Sequence, residues 1–380
     1  MKIFFAIAIS IYLLFNSYVF VRIWQVIPAG FSYKLIYTIL YILFSLSFIV
    51  AMAGRNTLPL GFLKIIYAIG TIWLAYMMYF FLFFLITDVI NLFNHWIHLA
   101  NAERCFFPEN ITTHFRQIQV YGSAVIITVM LIAGYYKFTH PSVNTYDIKI
   151  NKKAGERKEL RIVGLSDIHL GLLVDKNRFS RYVDKVNALQ PDIILIAGDV
   201  IDNSTRLLNA EHLEDEINRL QAPLGIYMCL GNHEYISGID NSLDFLKKTK
   251  INLLIDSVAQ VDSAFWIIGR NDRFAGKNRH SLSDLVAKIN PSEPVFLLDH
   301  QPFHLAEAEN AGVDFQFSGH THNGQLWPGN LIAKRIYEVA HGYKQKGNLH
   351  VYVSSGLALW GPPFRIGTES EIAVFNIKFD

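Results

Sequence analysis

The alternation of apolar and polar residues changes character about a third of the way along the chain. Residues 3–21, 35–54, 65–87 and 117–136 carry no charge and are filled with Leu, Ile, Phe, Tyr and Val. A helix rises 1.5 Å per residue, so about 20 such residues cross roughly 30 Å of hydrocarbon. A helix also satisfies its own backbone hydrogen bonds, as lipid demands. The pattern predicts four transmembrane helices. Trp24, Tyr33, Tyr135 and Tyr136 fall near the ends of these runs, where amphipathic rings favour the membrane interface. A cleaved signal peptide is the other reading of the first run. Lys2 suits it, but no small-x-small site follows and three more apolar runs do, so a retained span is expected.

From about residue 143 short apolar runs alternate with amphipathic ones. Strands are expected over 146–150, 160–165, 193–197, 226–230, 265–269, 295–298, 315–318, 351–354 and 372–377, with a polar turn over 152–158. Helices are expected over 176–189, 211–220, 281–289 and 304–310. Such alternation predicts an α/β layered domain with largely buried strands. The chain therefore divides into a four-helix transmembrane domain over 1–138, a juxtamembrane linker and first hairpin over 139–158, and a catalytic domain over 159–380.

Polar motifs follow five of the apolar runs directly. Asp167-x-His169 follows the run ending at Leu165, Gly198-Asp199 the run ending at Ala197, and Gly231-Asn232-His233-Glu234 the run ending at Leu230. His300 follows Leu298, and Gly319-His320-Thr321-His322 follows Ser318. In α/β sheets, ligands bind beyond the carboxyl ends of strands, so five distant loops are expected to meet at one site. An extended backbone would send Asp167 and His169 to one side, and likewise His320 and His322. Carboxylate oxygen combined with imidazole nitrogen suits Mn, Fe or Zn better than Ca or Cu(I). Two divalent cations and two aspartates leave a positive surplus for an anionic phosphate, and two cations can activate water and clamp the reacting oxygens. Asp199, with two carboxylate oxygens and a central place in the motif order, is the natural bridge. Gly198, Gly231 and Gly319 keep the turns beside the ligands free of Cβ atoms.

Composition sharpens this picture. Charged residues make up 17% of the chain, against about 25% in soluble proteins, and the deficit lies in residues 1–137. The net charge is +2 and no basic run exceeds two residues, which argues against nucleic acid as a partner. Two cysteines, Cys105 and Cys229, exclude a disulfide framework and a cysteine-based zinc site. Lys149, Lys152 and Lys153 weight the positive-inside comparison toward a cytoplasmic catalytic domain. The segment 94–115 reads as an ordinary connecting loop.

The stretches SDIHLG, AGDVID, GNHE, DHQP and GHTHNGQ, in that order, resemble the signature of the calcineurin-like metallophosphoesterase family over roughly residues 143–380. The ending LALWGPPFRIGTESEI is similar to the membrane-associated bacterial branch of that family. The resemblance implies two packed sheets flanked by helices. It implies a first divalent metal on Asp167, His169, Asp199 and His322 and a second on Asp199, Asn232, His300 and His320. His233 would be a non-ligand catalytic residue that stabilises the transition state or protonates the leaving oxygen, with Glu234 orienting it. Asn323 departs from the glycine usual in this branch, and asparagine tolerates the same left-handed backbone.

His300 is preferred over His304 as a ligand because it lies nearer the strand end. Arg270, Arg273 and Arg365 are candidate phosphate contacts. The stretch 326–343 reads either as a helix resting on the bilayer or as a core-facing helix. The expected activity is hydrolysis of a phosphodiester or pyrophosphate of a lipid or nucleotide-lipid, by a chain anchored in the cell membrane. The alternatives are a soluble substrate such as a cyclic nucleotide, and a membrane sensor module with a phosphoesterase output.

Overall fold

The computed structural model describes residues 2–100 and 113–380. They form two compact units, Met1–Ala133 and Gly134–Asp380. The first unit consists of helices α1 (Lys2–Trp24), α2 (Phe31–Ala53), α3 (Leu60–Ala100) and most of α4 (Thr113–Thr139), whose last turns belong to the second unit. Three helices, spanning residues 31–53, 60–97 and 114–139, are long and apolar enough to cross a membrane. The first apolar run is helical too, but the described part that counts toward a span is the shorter stretch Ile9–Trp24. The supported count is thus three candidate spans, where the sequence predicts four.

Several polar groups among the described residues of this unit are partnered. Asn16 is buried; its Oδ1 accepts from Trp73 Nε1 at 3.0 Å, and its carbonyl accepts from the Tyr41 hydroxyl at 2.7 Å. Arg22 pairs with Asp88, which also accepts from the Tyr18 hydroxyl at 2.5 Å. Without water, such partners are what makes a polar group tolerable. Helix α3 continues through residues 94–100 and α4 begins at Thr113, so the expected connecting loop is helical at both ends; residues 101–112, with Arg104 and Cys105, lie outside the described residues.

The second unit holds twelve strands: β1 (Ser142–Ile150), β2 (Glu159–Leu165), β3 (Ile193–Ala197), β4 (Ile226–Cys229), β5 (Ile251–Leu254), β6 (Ser257–Val261), β7 (Phe265–Gly269), β8 (Val295–Leu298), β9 (Phe315–Ser318), β10 (Gly342–Lys346), β11 (Leu349–Val353) and β12 (Glu371–Phe379). They build two sheets, ordered β1-β12-β2-β3-β4-β5 and β10-β11-β9-β8-β7-β6. The expected first hairpin does not form. Strand β12 lies between β1 and β2, parallel to one and antiparallel to the other. Strands β5, β6 and β10 escape prediction because they are short, and their residues are mostly part-buried or exposed.

Strand β3 shows how the layers arise. Ile193, Leu195 and Ala197 pack between the sheets with Phe265, Phe296, Phe317 and Phe375, whereas Ile194 and Ile196 face the helix Lys176–Ala188 through the cluster containing Phe179 and Val183. Strands covered on both faces read as unbroken apolar runs, here IILIA. Asp175 starts that helix by accepting from the Arg178 backbone N–H, filling one of its orphan donors. Cys229 is a buried core residue, as expected.

The start of β12 contains a buried carboxylate. Glu371 accepts from Ser355 N at 2.7 Å, the Tyr352 hydroxyl at 2.9 Å and Asn144 Nδ2 at 2.6 Å, and lies 3.2 Å from His341 Nε2. Burial alone would raise its pKa, but His341 and these donors outweigh it and hold the group at about 2. The unfolded value is near 4.5, so the stabilisation is complete above that pH and is lost as pH falls toward 2. Glu371→Gln should therefore lower unfolding stability by roughly 2–3 kcal/mol at neutral pH, with the difference from the parent shrinking between pH 4.5 and 2. Chemical denaturation across pH measures this.

Candidate metal centre

The loops after β2, β3, β4, β8 and β9 carry the polar motifs. Asp167, His169, Asp199, His320 and His322 all adopt positive φ, between 48° and 70°. Non-glycine residues seldom do so, at a cost of order 1–3 kcal/mol each, and such strain collects at functional sites. The i, i+2 pairs are therefore brought together by left-handed turns, and not by the extended backbone expected. Bonds between loops hold the turns: Asp167 N donates to Gly198 O at 3.1 Å, His169 N to Asp199 O at 3.0 Å, and Ala358 N to Asp167 O at 3.0 Å. Asn323 is also left-handed, with φ 47°, as its chemistry allows. Two glycines are dictated by proximity. A Cβ on Gly231 would lie 2.2 Å from Asp199 Oδ1, and one on Gly319 would lie 2.4 Å from Asp167 Oδ2.

Two clusters result. In the first, His169 Nε2 and His322 Nε2 face each other at 3.2 Å, and Asp167 Oδ1 lies 3.9 Å and 3.4 Å from them respectively. In the second, His300 Nε2 lies 3.1 Å from both Asp199 Oδ2 and Asn232 Oδ1, and the His300 and His320 rings are 5.1 Å apart. Asp199 Oδ2 also stands 3.9 Å from His169 Nε2, so it faces both clusters. The groups Asp167–His169–His322 and Asp199–His300–His320 each place one ligand atom per residue within 4.8 Å of the others. All seven predicted metal ligands thus come together. His304 is exposed and joins neither group.

The electrostatics suit a cation. Burial pushes the His169 and His320 imidazoles down to about 3 and His322 well below its usual range, so all three are neutral and offer lone pairs. Neutral imidazole nitrogens 3.2 Å apart share a proton in one tautomer and, in the other, turn both lone pairs toward a cation. Asp167, buried and beside Asp199, is raised to about 6. His300 goes the other way: burial would depress it, but Asp199 raises it well above normal, and a cation beside Asp199 would take that proton's place. His300 Nδ1 lies 2.7 Å from the Ala197 carbonyl, which leaves Nε2 for the site. Donor types, their spacing within 4.8 Å of one another and the Cβ-free cradle fit divalent metal.

His233 lies at the edge of the site, and Asp199 Oδ1 accepts its backbone N–H at 2.8 Å. Burial would lower its imidazole, but Asp199 and Asp202 outweigh burial and hold it at about 9. The expected orienting role of Glu234 is not observed. Its carboxylate accepts the backbone N–H groups of Asp199, Val200, Ile201 and Gly231 at 2.7–3.1 Å, so it shapes the Asp199 turn. The acid facing His233 is Asp202, whose Oδ1 lies 3.2 Å from Nδ1. Sequence reading missed it, although it closes the AGDVID motif.

Two of the candidate phosphate-binding arginines are structural. Arg365 is buried and donates to the carbonyls of His322, Ser355, Gly356 and Ala358. Arg270 pairs with Asp299 and Glu307. Arg273 stacks over Phe303 at 4.7 Å, Phe303 packs on Tyr337 at 4.8 Å, and Tyr337 lies 6.3 Å from the His320 ring.

A calcineurin-like phosphoesterase family model matches residues 160–324. The metallophosphoesterase Cj0846 of Campylobacter jejuni is 33% identical over 67% of this chain and 69% of its own length. A Helicobacter pylori metallophosphoesterase is 34% identical over 64% of this chain and 66% of its own. A Bos taurus transmembrane protein with metallophosphoesterase domain is 30% identical over 66% and 60%. Among solved structures, a 5'-nucleotidase precursor from Thermus thermophilus aligns with TM-score 0.37 and 16% identity, over 57% of this chain and 55% of that one, too remote to bear on function.

Proposed function

We infer from one premise, that the chain belongs to the calcineurin-like metallophosphoesterase family, that it is a metal-dependent hydrolase acting on a phosphodiester or pyrophosphate bond at a membrane. The observation that carries this reading is the convergence of His169, His322 and Asp167 on one point beside a second group of Asp199, His300 and His320. The proposed first site is Asp167, His169, Asp199 and His322; the second is Asp199, Asn232, His300 and His320. Mn, Fe or Zn suits this mixed oxygen and nitrogen set. When bound, the cations supply Lewis acidity for activating water and neutralising charge on phosphorus.

The residues supply the rest. Asp199 aims at both positions and neutralises surplus charge. His233 is the proton donor to the leaving oxygen, because its Nδ1 is turned toward Asp202 and its pKa is raised. A third grouping, His169–Asp199–His233, also has metal-like spacing; the Asp202 contact favours the acid role. Asp202→Asn should cut kcat roughly 10–100-fold, as loss of an orienting partner does, while metal content stays at the parent value. Arg273 is proposed as the phosphate contact at the rim, being the candidate arginine without an acid partner among the described residues. Arg273→Ala should raise KM with kcat little changed, the signature of lost binding common to substrate and transition state.

The finer reading is a helical membrane anchor carrying the candidate spans 31–53, 60–97 and 114–139, joined to a cytoplasmic catalytic domain whose sheet begins with β1. The substrate of choice is a lipid-linked phosphoester. Full-length protein supplied with Mn should hydrolyse a lipid pyrophosphate in mixed micelles faster than bis(p-nitrophenyl) phosphate or a cyclic nucleotide. Preference for the soluble esters would remove the lipid assignment, and no hydrolysis of any of them would remove the enzyme assignment.

A further inference from the structure

The helix Gly329–Ile336 leaves its apolar side uncovered. Leu331, Ile332 and Ile336 are 53%, 60% and 56% exposed, and Trp327 just ahead of the helix is 44% exposed. Residues 331, 332, 335 and 336 share one helical face. Lys334 and Arg335 occupy the last turn. Neither is paired with an acid among the described residues, whereas nearby Lys344 and Lys346 both bind Glu338. An exposed apolar helix side with one unpaired cation, Arg335, set within it and another, Lys334, at its border is compatible with a helix in a membrane interface, where a long basic side chain reaches from the apolar surface to the headgroups.

Its place in the unit indicates what covers it. Tyr135 and Tyr136 are exposed near the end of the candidate span 114–139, where aromatic rings mark headgroup depth. Gly134, beside them, accepts the Arg365 backbone N–H at 3.0 Å, and a Cβ on Gly134 would come within 2.9 Å of Ile366. The Ile366 carbonyl accepts Trp327 N at 2.8 Å, and Leu326 bridges to Ile366. One two-residue segment thus ties the end of the span to the entry of the helix. Trp360 carries the exposed surface toward the reactive centre: it is 48% exposed, its carbonyl accepts from Gln325 Nε2 at 3.0 Å, and its ring is 6.2 Å from that of His233.

We propose that Trp327 and the Gly329–Ile336 helix lie in the headgroup region of the bilayer that the span crosses. The apolar side meets acyl chains, and Lys334 and Arg335 meet anionic phosphates. The mouth of the site then opens at headgroup depth and suits an amphiphilic ester whose phosphorus lies at that depth. This rests on the membrane-anchored reading above.

The test is nitroxide accessibility in the full-length chain, reconstituted in vesicles of phosphatidylethanolamine and phosphatidylglycerol. Labels go singly on Leu331→Cys, Ile332→Cys, Ile126→Cys in α4 and the exposed Lys247→Cys, in a Cys105→Ser background. The expected result is an oxygen-to-nickel-chelate collision ratio several-fold higher at 331 and 332 than at 247, and higher still at 126. A deep label at 126 with water-like labels at 331 and 332 overturns the helix proposal alone. Labels at 331 and 332 shielded from both reagents overturn it in favour of a protein contact. A water-like label at 126 overturns the anchoring reading and the helix proposal with it.

Discussion

Asp199→Ala is expected to lose stoichiometric metal loading and to cut hydrolysis about a thousandfold. Asp199 Oδ2 faces both histidine clusters, 3.1 Å from His300 Nε2 and 3.9 Å from His169 Nε2, so its loss removes a ligand from each proposed position and half of the aspartate charge. What remains at the second position is neutral Asn232 with His300 and His320. Lewis-acid activation is worth several kcal/mol; at 1.36 kcal/mol per factor of ten, a loss of about 4 kcal/mol is roughly a thousandfold in rate. Asp199 Oδ1 also accepts the His233 backbone N–H, so Asp199→Asn, which keeps an acceptor there, is the companion variant that separates lost charge from a disturbed loop. Metal analysis and initial rates on both variants measure the effect. Near-parental metal content and rate in Asp199→Ala would remove the bridging role.

His233→Ala separates chemistry from metal binding. Metal content should hold while kcat falls by about 10²–10⁴, the range for loss of a positioned acid. The fall should be steep for an alkyl leaving group, which needs a proton, and shallow for p-nitrophenolate, which does not. A variant that loses metal instead would mark His233 as a ligand, the role its spacing with His169 and Asp199 also permits.

Much of this was legible before any coordinates. Strands buried on both faces appear as bare apolar runs, so the polar residue after each run marks a carboxyl-end loop, and the residue types name the chemistry. The remainder depends on contacts that local pattern does not encode. Strand β12 inserts between β1 and β2 through a pairing of Ser142 with Glu371, more than two hundred residues away. The left-handed turns at Asp167, His169, His320 and His322 are held by bonds between loops that are distant in sequence, so they do not follow the extended backbone that local pattern predicts for these pairs. Glu234 stands next to His233 in sequence, yet its carboxylate is consumed by four backbone donors, while Asp202 reaches the imidazole from another strand's loop. Arg365 could not be told from a surface arginine without knowing that four carbonyls surround it.

The most direct measurement is metal titration of chelator-stripped full-length protein, following bound metal and phosphodiester hydrolysis in the same samples. Two divalent ions should bind per chain, with activity absent from the stripped protein and maximal only once the second ion is bound. Hydrolysis that survives chelation, or saturation at fewer than two ions with full activity, would contradict the paired centre.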